Sequence, residues 1–168
     1  MKKPLASLLG IASMNAYAGV DIKHDEFVFH LEGDWVQVPS KDPEQFSFES
    51  ASKKTSVVLS VMAPLNIRKD KLTEVAKKFA EVREQAEQAA RPGEKLEFGD
   101  KWVELKPSED LAEVAYAGHD ERGTIFRFFG FVTQRKVLSF WVATTTNDND
   151  FSKKVFDEVY RALKFYVP

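Results

Sequence analysis

"TIFRFFGFVTQRKVLSFWVATTT", residues 124–146, carries five of the chain's fourteen phenylalanines and one of its three tryptophans. Rings at this density serve either as a ligand platform or as a core, and their spacing separates the two. Successive side chains of a strand point to opposite faces, so Phe126 and Phe128 share one face while Ile125, Phe129 and Phe131 share the other. After the tight connection Gln134–Lys136, Leu138, Phe140 and Val142 oppose Val137, Trp141 and Ala143. Strands that are apolar on both faces belong near the centre of a sheet covered on both sides. An exposed platform for RNA would need many accompanying cations, and only Arg122, Arg127, Arg135 and Lys136 are near. The segment predicts a central hairpin.

Outward from it, the period identifies the neighbouring elements. Upstream, "DEFVFHL" alternates Phe27, Phe29 and Leu31, a turn follows at Glu32–Asp34, and Trp35, Val36 and Val38 begin a returning strand. "QFSFES" and "TSVVLSVM" continue as a hairpin joined by "ASKK". From about Lys69 to Arg91 the period becomes helical, with Leu72, Val75, Ala76, Phe79, Val82, Ala86 and Ala90 as the apolar stripe. Glu74, Lys77, Lys78, Glu81, Glu84 and Glu87 form the expected solvated face, Asp70 the expected N-cap and Pro92-Gly93 the stop. Strands resume at "KLEFGDKWVELK" and "LAEVAYAGHDERG" before the central hairpin. "NDNDFSKKVFDEVYRALKFYVP" closes the chain as a helix capped by Asp148 or Asp150, burying Phe151, Val155, Phe156, Val159 and Leu163. Four strands, a long helix, four strands and a final helix predict an α+β fold. Its antiparallel sheet of about six to eight strands is expected to be flanked by helices on both faces.

The first eighteen residues read differently. Lys2 and Lys3 precede the mostly apolar Pro4–Met14 and then Ala16-Tyr17-Ala18, the pattern of a secretory signal peptide cleaved after Ala18. Residues 19–168 are then expected to form a single α+β domain in the periplasm, without stable membrane insertion after cleavage. Removal takes away only Lys2 and Lys3, which moves the formal charge from −2 to −4. A mildly acidic chain without a basic stripe is a poor candidate for nucleic acid. The chain has no cysteine, which suits an oxidising compartment.

The opening "FVFHLEGDWVQVP" and the ending "FVTQRKVLSFWVATTTNDNDF…FDEVYRALKF" together resemble the PsbP-like superfamily, and more narrowly the DcrB-like secreted bacterial proteins. The likeness spans about Asp25 to Phe165. It departs from the usual pattern at Glu32, where proline is common. What the resemblance implies is a PsbP-like sandwich acting without catalysis, as a binding or assembly module.

Chemistry-bearing motifs are few. The tripeptide His-Asp-Glu occurs twice, at His24-Asp25-Glu26 and His119-Asp120-Glu121. Consecutive strand side chains diverge, however, so neither forms a metal site alone. No cysteine nucleophile, G-x-S-x-G elbow or phosphate loop occurs. No catalytic residue, cofactor or metal is therefore assigned. Trp35 and Trp102 lie beside turns or charges, and the loop His119, Asp120, Glu121 and Arg122 projects between glycines. These six residues are the candidates for contact with another protein. The expected function is a secreted, non-catalytic protein-binding module, for example an immunity or accessory protein. A periplasmic carrier of a small hydrophobic or metal ligand is the alternative, and a hydrolase with a dispersed site ranks last.

Overall fold

The computed structural model describes residues 19–165, so the expected signal peptide lies outside the described residues. Five strands precede the first helix: β1 (Val20–Lys23), β2 (Phe27–Leu31), β3 (Trp35–Val38), β4 (Gln45–Ser50) and β5 (Thr55–Met62). Helix α1 spans Leu72–Ala90. Then come β6 (Leu96–Phe98), β7 (Trp102–Lys106), β8 (Leu111–Asp120), β9 (Ile125–Val132) and β10 (Val137–Thr144). Helix α2 (Asn149–Ala162) runs into a last short strand, β11 (Leu163–Phe165).

An eight-stranded antiparallel sheet runs in the order β3-β4-β5-β10-β9-β8-β6, with β7 also on β8, while β1, β2 and β11 make a separate three-stranded sheet. The hairpin read from Thr124–Thr146 is β9–β10, and β10 is the middle strand with every residue buried. Its two faces feed two cores. Phe126, Phe128 and Trp141 pack with Tyr116 and with Leu72, Ala76 and Ala80 of α1. Phe129, Phe131, Leu138 and Phe140 pack with Phe27, Phe29, Phe48 and with Val155 and Val159 of α2. Rings meet ring to ring within both: Phe126 stacks on Trp141 at 5.2 Å, and Phe129 on Phe140 at 5.8 Å. Area removed from water supplies the main stabilisation of such cores.

Several local expectations are corrected. "KLEFGDKWVELK" is two strands, not one, and β1 and β11 were not anticipated. Asp70 does not cap α1. It sits in a 3-10 turn, Lys69–Lys71, and its carboxylate holds the Arg68 guanidinium, while Lys71 at the cap position makes no side-chain capping bond and instead pairs with Glu74. Asp148 does cap α2, accepting from the Phe151 backbone N–H at 2.9 Å. Along α1 the buried line is Leu72, Ala76 and Ala80, which continues at 3.6-residue steps through Glu84 and Glu87 rather than through Val82, Ala86 and Ala90. Val82 is 48% exposed, and Glu84 and Glu87 turn inward, paired with Lys101 and Arg83. An apolar stripe that drifts off the helical period leaves the sheet to whichever residues the period brings there, polar ones included.

Candidate partner-binding surface

The outer strand beside β8 is interrupted, and the register shows how. Phe98 of β6 pairs with Gly118, and Trp102 of β7 pairs with Ala115. Three residues, Gly99–Lys101, therefore lie opposite two, Tyr116 and Ala117. This is a β-bulge, an extra residue that changes which side chains face which way. Without it, Trp102 would follow Phe98 onto the face that packs against Tyr116 and Phe126. With it, Val103 takes the inward place, and Trp102 comes out on the opposite face at 47% exposure.

The bulge also directs Lys101 to Glu84 of α1, at 2.7 Å, with its Nζ 5.8 Å from the centre of the Tyr116 ring. Burial, reinforced by the Glu84 charge, pushes the Tyr116 phenol well above its ordinary pKa, so it stays protonated at neutral pH. Gly118 is required where β6 crosses close. A Cβ there would come 2.5 Å from the Glu97 carbonyl oxygen.

Trp102 pairs with Ala115 and so lies on the face of β8 that carries Ala115 and Ala117, both half-exposed, whereas the adjoining Phe129 of β9 is covered by Phe156 and Tyr160 of α2. Helix α2 packs on β9 and β10. Beyond Ala117 a pocket of about 420 Å³ lies between Glu97, Ala117, His119, Ile125 and Asn149. Arg127 fixes that wall: its guanidinium donates to the Asn149 side chain at 2.7 Å and to the Ser152 hydroxyl at 3.2 Å. A second pocket, near the opposite edge strand β3, is lined by Asp34, Val36, Glu49 and Lys54. There Asp34 is already engaged by the Ser50 hydroxyl and by the Ser52 N–H and hydroxyl, bonds that hold its carboxyl down at about 2.

The six sequence candidates separate into three kinds. Trp35 is a core residue, not a rim residue: it is 2% exposed among Phe29 and Phe48, and its indole N–H donates to Glu158 at 3.3 Å. Asp120 is also buried and closes the β8–β9 turn, accepting from the Arg122 and Thr124 N–H groups and from Arg91. Burial alone would raise its pKa, but these bonds and the Arg91 charge win and hold it low. Trp102, His119, Glu121 and Arg122 are on the surface, with His119 3.5 Å from Glu97 and Arg122 3.0 Å from Glu94. Trp102 and His119 share one face of the sheet, four residues apart along β8, which is about 13 Å at strand rise. Sequence reasoning missed the Ala115–Ala117 face and the bulge, although Gly99 within an apolar alternation was a signal for the latter.

The two His-Asp-Glu tripeptides do not meet. Glu26 pairs with Lys136 in the β9–β10 turn, whereas Asp120 closes the β8–β9 turn. These turns lie at opposite ends of the eight-residue β9, roughly 26 Å apart at strand rise. Among the described residues no group of three or more His, Asp or Glu is placed to hold a metal ion. His24 accepts from the Glu26 N–H, and His30 faces Asp21 and Glu32. No described histidine is hydrogen-bonded to a serine or threonine hydroxyl. Among the described residues no helix is long and apolar enough to cross a membrane.

Neither a family model nor a curated protein matches the chain. Among solved structures, the chain is similar to the solution structure of cyanobacterial PsbP (CyanoP) from Synechocystis sp. PCC 6803. The identity is 16%, the TM-score is 0.64, and the match covers 98% of this chain and 100% of that one. A crystal structure from Bacteroides thetaiotaomicron aligns at 10% identity and a TM-score of 0.42, over 83% of this chain and 45% of that one. The first likeness shows a PsbP-like fold.

Proposed function

We propose that this chain is a secreted, single-domain, non-catalytic module of the periplasm that binds another protein through its bulged β6–β7 edge, in an accessory or immunity role. The observation that carries this reading is Trp102. Of the three tryptophans, Trp35 and Trp141 are buried, and a bulge turns the third outward at an edge. Exposing that much apolar surface costs stability unless something covers it, and tryptophan is the residue most enriched where a partner does. The PsbP-like fold supports a module that works through its surface, and the narrower DcrB-like likeness belongs to the same reading. So does the picture of a sheet flanked on each face, by α1 on one side and by α2 with the three-stranded sheet on the other.

Affinity capture from periplasm tests it, with wild type and Trp102→Ala run side by side. The expected result is one stoichiometric protein retained by wild type and lost from the variant. Capture of no protein, together with a small-molecule mass adduct in native mass spectrometry, would instead favour the carrier reading.

A further inference from the structure

The two halves of α1 hold the sheet by different means. From Leu72 to Ala80 the contact is apolar: Leu72, Ala76 and Ala80 are fully buried, and the Phe79 ring lies 6.0 Å from that of Phe128. From Glu81 to Ala90 no residue is buried. What reaches the sheet there is polar. Glu84 holds Lys101 of the bulge at 2.7 Å, and Arg91, just past the helix, reaches Asp120 at 3.3 Å. Gln88 donates to the Glu94 carbonyl at 2.9 Å, and Glu94 in turn pairs with Arg122 at 3.0 Å.

Beneath this polar half lies an aromatic floor of Phe98, Tyr116 and Phe126, with ring centres 5.9 Å and 6.4 Å from Phe98. Phe126 is fully buried and Tyr116 is 5% exposed, yet cations are what lie over them. The Arg91 guanidinium sits 4.8 Å above the Phe126 ring, and the Lys101 ammonium 5.8 Å from that of Tyr116. Two buried polar atoms in the same place, Glu84 Oε1 and the Tyr116 hydroxyl, have no hydrogen-bond partner in the protein. The charges of Arg83, Glu84 and Glu87 act on that phenol, which places it under this stretch of helix. Unpaired buried polar atoms raise the free energy of the closed arrangement, and lifting the helix gives both to water.

We propose that the C-terminal half of α1, about Glu81 to Ala90, is a lid that opens as a unit while Leu72–Ala80 stays docked, baring Phe98, Tyr116 and Phe126. Two latches hold it: Glu84 on Lys101 at the bulge, and Arg91 on Asp120 at the β8–β9 turn. Segments with few buried apolar contacts are the ones that open without global unfolding. An unsupported stretch of ten residues is also too short to stay helical alone. The lid does not depend on the protein-binding reading, although Lys101 adjoins Trp102 and Glu94 holds Arg122.

Amide hydrogen exchange followed by NMR on the full mature chain tests it. The expected result is a step within one helix. Amides 82–90 exchange together, at least tenfold faster than amides 76–80. Tyr116→Phe, which deletes the unpaired hydroxyl, slows the 82–90 set several-fold. Lys101→Met, which removes a latch and leaves Glu84 without its partner, speeds it several-fold, as does added salt by screening both latches. Amides 76–80 are unmoved in both variants, and melting curves confirm that the variants fold.

A single rate from 76 to 90 would overturn the lid, because the helix would then open whole. A rise confined to amides 88–90 would overturn it too, as ordinary fraying of a helix end. Rates in Tyr116→Phe and Lys101→Met equal to wild type would remove the latches and the hydroxyl as its cause.

Discussion

The central hairpin β9–β10 and the bulged edge β6–β7 are built from the same kinds of residue and come to opposite ends. In the hairpin the alternation runs unbroken, so each ring finds a core on its own side and every residue of β10 is buried. At the edge one extra residue breaks the alternation, and an aromatic side chain that would have been core is delivered to the surface. Ring content therefore says little about a ligand site. What matters is where the period fails.

Four substitutions break or sharpen that contrast. The largest effect belongs to the hairpin: Phe140→Ala, at 1% exposure between Phe129 and Phe156, should cost about 3–5 kcal/mol in urea unfolding. Gly118→Ala comes next, at about 1–3 kcal/mol, because the added methyl runs first into the Glu97 carbonyl oxygen of the β6 backbone, at 2.5 Å, and also into the Phe98 ring. A cost near zero would mean that β6 does not hold the observed register.

Asp34→Ala should cost at most about 1 kcal/mol, since the carboxylate is partly solvated. Its folded pKa, about 2, lies below the ordinary value, so the contribution is full above about pH 4 and is lost as pH falls toward 2. Wild type and variant should therefore converge in unfolding experiments at pH 2. Trp102→Ala is the smallest, within about 0.5 kcal/mol, as befits an exposed side chain. A loss of several kcal/mol there would make Trp102 a structural residue.

The fold was legible wherever local pattern and final environment agreed. The two-face alternation of Ile125–Val132 and Val137–Thr144 places both strands at the sheet centre, and there they lie. Asp148 before Phe151 reads as a cap and is one. The misreadings share a cause: long-range register. Trp35 sits beside a turn in sequence, but its side chain is closed over by Glu158, 123 residues away. Glu84 and Glu87 look like solvent residues until the line of Leu72, Ala76 and Ala80 sets the helix face. The candidate surface was half legible. Trp102 was identifiable, but the Ala115–Ala117 face depends on α2 stopping short of β8, which no local pattern records.

Site-specific photo-crosslinking in the periplasm tests the central claim most directly, with the photoreactive side chain placed at position 102 and, as a control, at the equally exposed Val82 on α1. The account predicts a single protein adduct from position 102 and none from position 82. Adducts from position 82 alone would contradict it, because the working surface would then lie on the outer face of α1 and the bulged edge would be mere sheet termination.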